Sequence, residues 1–256
     1  MAWKGSYTTG KDKKTQPTLV LEALCDYNLW FWHAAFGFAG SLNDINILNL
    51  SPLLESLLDG SFAEIERNSK TVPYVISGEV FHLLNILVDG IYPKYSRFIK
   101  TLNEPVTRKE VRFTNWQESS RKDIERAFGV FQSMFQTAAR PITTMDLNRI
   151  SGCINAILIL HNMAVSDRVM EGDVYARYYP AHSLEIDANL IEEIDYPEDF
   201  DGIAGQPALA TIGLRDGNPQ VIEERLSFWK HLTDRDEHAR LNNAVIHHVA
   251  NTYISR

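Results

Sequence analysis

Apolar and polar positions change their period several times along this chain, and each change predicts an element. Residues 17–25 and 28–37 are rich in strand formers and are parted by Asp26-Tyr27, so they read as an antiparallel hairpin with both strands well buried. Over residues 42–60 the spacing becomes helical, with Ile45 and Leu48 on one side. A break is expected at Ser51-Pro52, where serine can cap and proline can take a first helical position that has no use for an N–H. Gly60 then ends the second piece. Residues 74–76 and 80–83 flank Ser77-Gly78 as a tight hairpin, and the apolar strand 85–88 leads into Asp89.

Beyond Pro93 a short helix over 94–101 is expected, followed by a polar connection and a main helix over 115–138. In that helix Ile124, Phe128, Phe131 and Phe135 recur at i, i+4, i+7 and i+11 and share one face. A second helix, 144–164, carries Ile150, Ile154, Ile157 and Leu158 and reads as buried. From residue 165 to 215 the periodicity fades while acids, glycine and proline accumulate, which predicts a loop or linker. Helices resume at Asn218-Pro219 and near Thr233, forming a hairpin whose Leu226, Trp229 and Leu232 could dock on the core or on a partner.

Composition adds that the chain can fold: 256 residues, 45% hydrophobic and 11% aromatic, suffice for a sizeable core. With no run of 18 apolar residues and no charged-then-apolar leader, a cytosolic or nuclear protein with no membrane partner is expected. Cys25 and Cys153 read as small buried hydrophobes without a disulfide. The net charge of −8 is local, since residues 171–201 hold ten acids against one base. Between Lys94 and Arg126 nine bases face five acids, a modest excess that implies weak DNA affinity by phosphate neutralisation alone.

Two carboxylates stand out. Asp89 closes an apolar strand, and Glu125 sits beside the apolar face of the main helix, between basic residues. Each also has a plain reading: Asp89-Gly90 suits a turn, and Glu125 can pair with Arg121 or Arg126. Asp123 points to another face and is expected in solvent. Asp44, near a helix start, suits a capping or dipole-facing role. Asp26 belongs to the hairpin turn. His161 and His33 read as satisfied core histidines, and His247-His248 have no zinc pattern. The chain contains no glycine-rich phosphate loop, no nucleophile elbow and no Cys/His cluster.

The strings AWKG at 2–5, GSLND at 40–44, DGIYP at 89–93, RKDIERAFG at 121–129 and ILHNM at 159–163 occur in an order that resembles the PIF/Harbinger family of DDE transposases and the nuclease-like proteins domesticated from them. The resemblance implies an α/β fold: an RNase H-like mixed sheet with flanking helices, then a C-terminal helical extension. It also implies three carboxylates that bind two divalent ions, Mg2+ or Mn2+, with Asp89 matching the second and Glu125 the third. The family carries the first on a strand shortly before AWKG. That strand and its aspartate are expected to be absent here, leaving unpaired ladders that favour association, including a homodimer.

The resulting expectation is a truncated RNase H-like nuclease domain at 1–165, an acidic linker at 166–215 and a C-terminal helical hairpin at 216–256. Function follows as a transposase-derived DDE nuclease-like protein, inactive as given, with DNA bound weakly and a Myb-like DNA-binding protein as partner in the nucleus, with the cytoplasm also open. The alternative is a non-catalytic domesticated or relic protein that acts through protein partners. A misplaced start codon or an omitted upstream exon is the third reading.

Overall fold

The computed structural model describes residues 18–59, 61–62, 73–142, 146–170 and 219–252. AWKG, Gly60 and most of the acidic linker lie outside these residues. Helices and small sheets combine in a mixed α/β fold, and the chain divides into two compact units, one from residues 1–51 and 118–181, the other from 52–117 and 182–256.

In the first unit, β1 (Leu19–Cys25) pairs antiparallel with β2 (Phe31–Ala39), with register shifts between Val20 and Leu21 and between Leu24 and Cys25. The turn is held by Asp26, whose Oδ1 accepts from the N–H groups of Asn28 at 2.9 Å and Trp30 at 3.1 Å. Leu29 adopts φ 71°, a left-handed conformation that costs a branched side chain energy. Its side chain is buried, which offsets that cost. The helix α1 (Asp44–Leu50) begins at Asn43, whose side chain accepts from Asn46 N–H at 2.8 Å.

The expected main helix forms in pieces. Arg108–Arg121 is α3, Asp123–Met134 is α4 and Gln136–Ala139 is α5, with α2 the earlier Pro52–Leu58. The breaks fall at Lys122, whose N–H reaches back only to Ser119, and at Phe135, with φ −122° and ψ 89°. The apolar period nonetheless holds across the second break. Phe131 and Ala127 are buried with Phe31, Leu29 and the Ile150, Ile154, Ile157 and Leu158 row of α6 (Leu147–Met170), while Ile124, Phe128 and Phe135 pack against them. By length and composition alone Leu147–Val169 could cross a membrane, yet one side of it lines this core. The hairpin is less buried than expected: it is a two-stranded ladder, its residues are mostly half-buried, and Trp32 is 65% exposed.

In the second unit, β3 (Tyr74–Ile76) and β4 (Glu79–Phe81) form the expected hairpin. Ser77 and Gly78 both have positive φ, 54° and 85°, which a two-residue turn matching the strand twist requires. The short strand β5 (Ile86–Leu87) pairs in parallel with β6 (Phe98–Ile99). The expected helix at 94–101 is therefore replaced by a strand. Ile86 N–H donates to Arg97 O and Val88 N–H to Ile99 O, while Phe98 and Ile99 are buried. Ladder bonds to a distant strand outweigh a local propensity that is weak after Pro93.

The last two helices, α7 (Pro219–Leu232) and α8 (Arg235–Thr252), are part of this unit's core. Leu241, Ala244, Val245 and Val249 are buried with Tyr74, Phe81, Ile99 and Phe113. Ser96 N–H donates to Leu232 O at 2.8 Å, Ser77 Oγ to Ala244 O at 2.9 Å, and Arg225 grips Glu55 through two bonds of 2.5 and 2.9 Å. That guanidinium, through its hydrogen bonds first, holds the Glu55 carboxyl below its ordinary value.

Candidate functional site

The strand end that presents Asp89 is built by Gln117. Its side chain is fully buried, and Nε2 donates to Val88 O at 2.8 Å and to Ile99 O at 3.1 Å, tying the ends of β5 and β6 together. One residue later the chain emerges. Asp89 is exposed, its Oδ1 accepts from Gly90 N–H at 2.6 Å, and its carbonyl accepts from Tyr92 N–H at 3.2 Å. The Asp-Gly turn is thus real, and it leaves the carboxylate on the surface. Lys100 donates to Tyr92 O, and burial and then Lys94 hold its ammonium below the ordinary value, with Asp89 partly offsetting them. The Lys100 ammonium accordingly shares the surroundings of Asp89.

Glu125 lies in the first turn of α4, in the other unit. Its side chain is 61% exposed, and Arg121 Nη1 stands 3.9 Å from Oε1, an exposed ion pair that contributes little to stability. Asp123 differs from expectation. Its side chain is only 13% exposed and meets Arg126 Nη1 at 2.5 Å. Burial raises its carboxyl above the usual range, Arg126 opposes this, and Asp26 adds to it. Asp44 is exposed in the first turn of α1, where the dipole favours a carboxylate, but Asn43 is the cap.

Whether these residues suit two divalent ions can be tested on the donor set. Two-metal sites need several convergent carboxylates. Among the described residues no group of three or more His, Cys, Asp or Glu side chains is placed to hold an ion, and Asp89 and Glu125 belong to different units. Among the described residues neither unit by itself groups the donors of a two-metal centre. Cys25 is half-buried, and burial first, then Asp26 and Asp123, push its thiol up to about 12, which disfavours the thiolate. Cys153, expected to be buried, is exposed.

His161 and Asn162, at the ILHNM string, do structural work that sequence reading anticipated only for the histidine. His161 is fully buried and its Nε2 donates to Leu29 O at 2.9 Å. Asn162 accepts from Phe31 N–H and donates to Phe31 O, both at 2.9 Å, so it stands in for a strand partner. The adjacent His-Asn pair late in the helical 144–164 stretch was the available signal, although the helix itself continues to Met170.

Burial lowers the His161 pKa below its ordinary 6.5, with the Leu29 bond opposing and Arg168 assisting. The neutral ring is the folded form. Its stabilisation is present above pH 6.5 and is lost as pH falls from there through the lowered folded value, because the unfolded chain then binds the extra proton. His82 and His238 shift in the same direction, with burial again the first cause. Urea midpoints are expected to fall between pH ~7.5 and ~5.5, and less steeply in His161→Gln; equal slopes in the two proteins would refute the assignment.

A profile of the family described as plant transposon protein matches residues 1–175. Searches of curated proteins and of solved structures returned no match. The matched span covers well over half of the chain and includes the Asp89 turn, the Glu125 helix and the His161-Asn162 clamp, and on that basis the chain belongs to the transposase-related plant transposon protein family.

Proposed function

We propose that the chain is a transposase-derived DDE nuclease-like protein of PIF/Harbinger type, in which Asp89 and Glu125 descend from the second and third metal-binding carboxylates of an RNase H-like domain. The observation that carries this reading is the family match over residues 1–175, which contains both acids within the strings DGIYP and RKDIERAFG. Two local features support it. Asp89 emerges from a clamped strand end into solvent, and Glu125 stands exposed on the first turn of a helix whose other side is core. Both carboxylates are therefore accessible to an ion and to DNA.

Bound Mg2+ or Mn2+ would supply Lewis-acid charge at a phosphodiester. On this reading, with two matched carboxylates and no group of three donors among the described residues, the chain engages such ions weakly and is an inactive nuclease. The chain then acts in the nucleus through others, and the modest basic excess between Lys94 and Arg126 calls for a Myb-like partner to hold DNA.

The test is nicking of supercoiled plasmid with Mg2+ or Mn2+, alongside a DNA mobility shift with and without a Myb-like partner. No nicking above the Asp89→Ala background, and a shift only with the partner, are expected. Nicking that Asp89→Ala and Glu125→Ala both abolish would replace the inactive reading with an active nuclease. Metal-ligand ancestry itself is read by Mn2+ broadening of backbone NMR signals, expected around Gly90 and Glu125; broadening at neither would remove it.

A further inference from the structure

The flank of α6 turned away from the core carries large apolar side chains in solvent. Leu160 is 49% exposed and Met163 57%, with Ile159 beside them at 62%. Along the helix, Arg149, Cys153, Ala156, Leu160, Met163 and Asp167 follow one another at alternating steps of four and three residues, and all six are exposed. That spacing lays them in one straight row.

The row is complementary to itself when reversed. Arg149 and Asp167 lie nine positions either side of residue 158, Cys153 and Met163 five, and Ala156 and Leu160 two. An antiparallel copy of the helix, crossing at the level of residue 158, therefore sets a base against an acid at each end. Between them a small side chain faces a large one at each step, Cys against Met and Ala against Leu, which lets two helices approach closely. A parallel copy would set Arg149 against Arg149 and Asp167 against Asp167. Among the described residues Arg149 pairs with the exposed Asp146, at 3.4 Å, a surface pair weak enough to exchange.

We propose that this face of α6 is a docking surface for a second copy of the chain, packed antiparallel about a two-fold axis, with each Arg149 paired to the partner's Asp167. The contact is isologous and closes on itself, so it makes dimers and not filaments. It buries the apolar row that solvent otherwise meets. The inference rests on one helix within one unit and stands whether or not Asp89 and Glu125 bind metal.

Sedimentation of the full chain tests it. A monomer–dimer equilibrium is expected, abolished by Leu160→Glu. Arg149→Asp and Asp167→Arg are each expected to weaken it by ~10-fold, since the symmetry repeats each contact twice, and the double variant should recover the wild-type constant. All three positions are exposed, so folding is spared and is verified by unchanged melting. In Met163→Cys, mild oxidation should give a dimer cross-linked through Cys153, while Cys153→Ser with Met163→Cys should lose that heterologous link. A monomer at every concentration would overturn the proposal, whether the face proved to be covered by the chain's own residues, with Cys153 protected from thiol reagents, or bound to lipid vesicles. Association indifferent to Leu160→Glu or to the charge reversals would overturn it equally.

Discussion

Deleting residues 219–256 is expected to abolish cooperative folding of the unit built on residues 52–117. The deletion strips Leu241, Ala244, Val245 and Val249, each at most 3% exposed, from a core that they share with Tyr74, Phe81, Ile99 and Phe113. Full burial of each larger aliphatic side chain contributes about 1.5–3 kcal/mol, and a domain's whole margin is about 5–15 kcal/mol, so losing the set leaves no margin. The deletion also removes the Arg225 grip on Glu55 and the acceptors of Ser96 N–H and Ser77 Oγ. Near-UV circular dichroism and hydrogen exchange of the amides in β3 to β6 measure the effect. Retained protection at Ile86 and Val88, with an unchanged melt, would show that the last two helices are dispensable. The single change Leu241→Ala, which folds more readily, should cost about 2–5 kcal/mol.

Phe131→Ala is the second change with a large expected effect, about 3–5 kcal/mol in the unit containing β1, β2, α4 and α6. Phe131 is 2% exposed, and its ring meets Phe31 edge-on at 5.9 Å, His161 at 5.8 Å and Phe135 at 5.8 Å. Removing it opens a cavity beside the His161 bond to Leu29 and the Asn162 clamp on Phe31. Those bonds hold Leu29 in its left-handed conformation, so the hairpin should loosen with the core. Phe128→Ala, at a half-buried position, is expected to cost less. Urea denaturation ranks the two, and equal losses would mean that the site relaxes around the missing ring.

Both predictions depend on contacts that span long stretches of chain, and this explains what could be read beforehand. The i, i+4, i+7, i+11 row from Ile124 to Phe135 was legible, because a helix turns its own neighbours to one side whatever lies there. The Ser77-Gly78 turn and the helix start at Pro52 were legible too, since turn and proline preferences act within a few residues. The exposed position of Asp89 could be anticipated from Asp-Gly. The burial of Asp123 could not, because it depends on Arg126 and on surroundings that a helical wheel does not contain.

The sequence by itself thus determined the mixed α/β class, the apolar faces, the turn at Ser77-Gly78 and, through strings such as DGIYP and RKDIERAFG, kinship with transposon proteins. Only the tertiary structure decided that Phe98 and Ile99 are a strand, that the last two helices complete the core of residues 52–117, and that Asn162 serves Phe31 across 131 positions. Local periodicity records which side of an element is apolar. Which partner covers that side is settled by hydrogen bonds and packing between residues that no sequence window holds together.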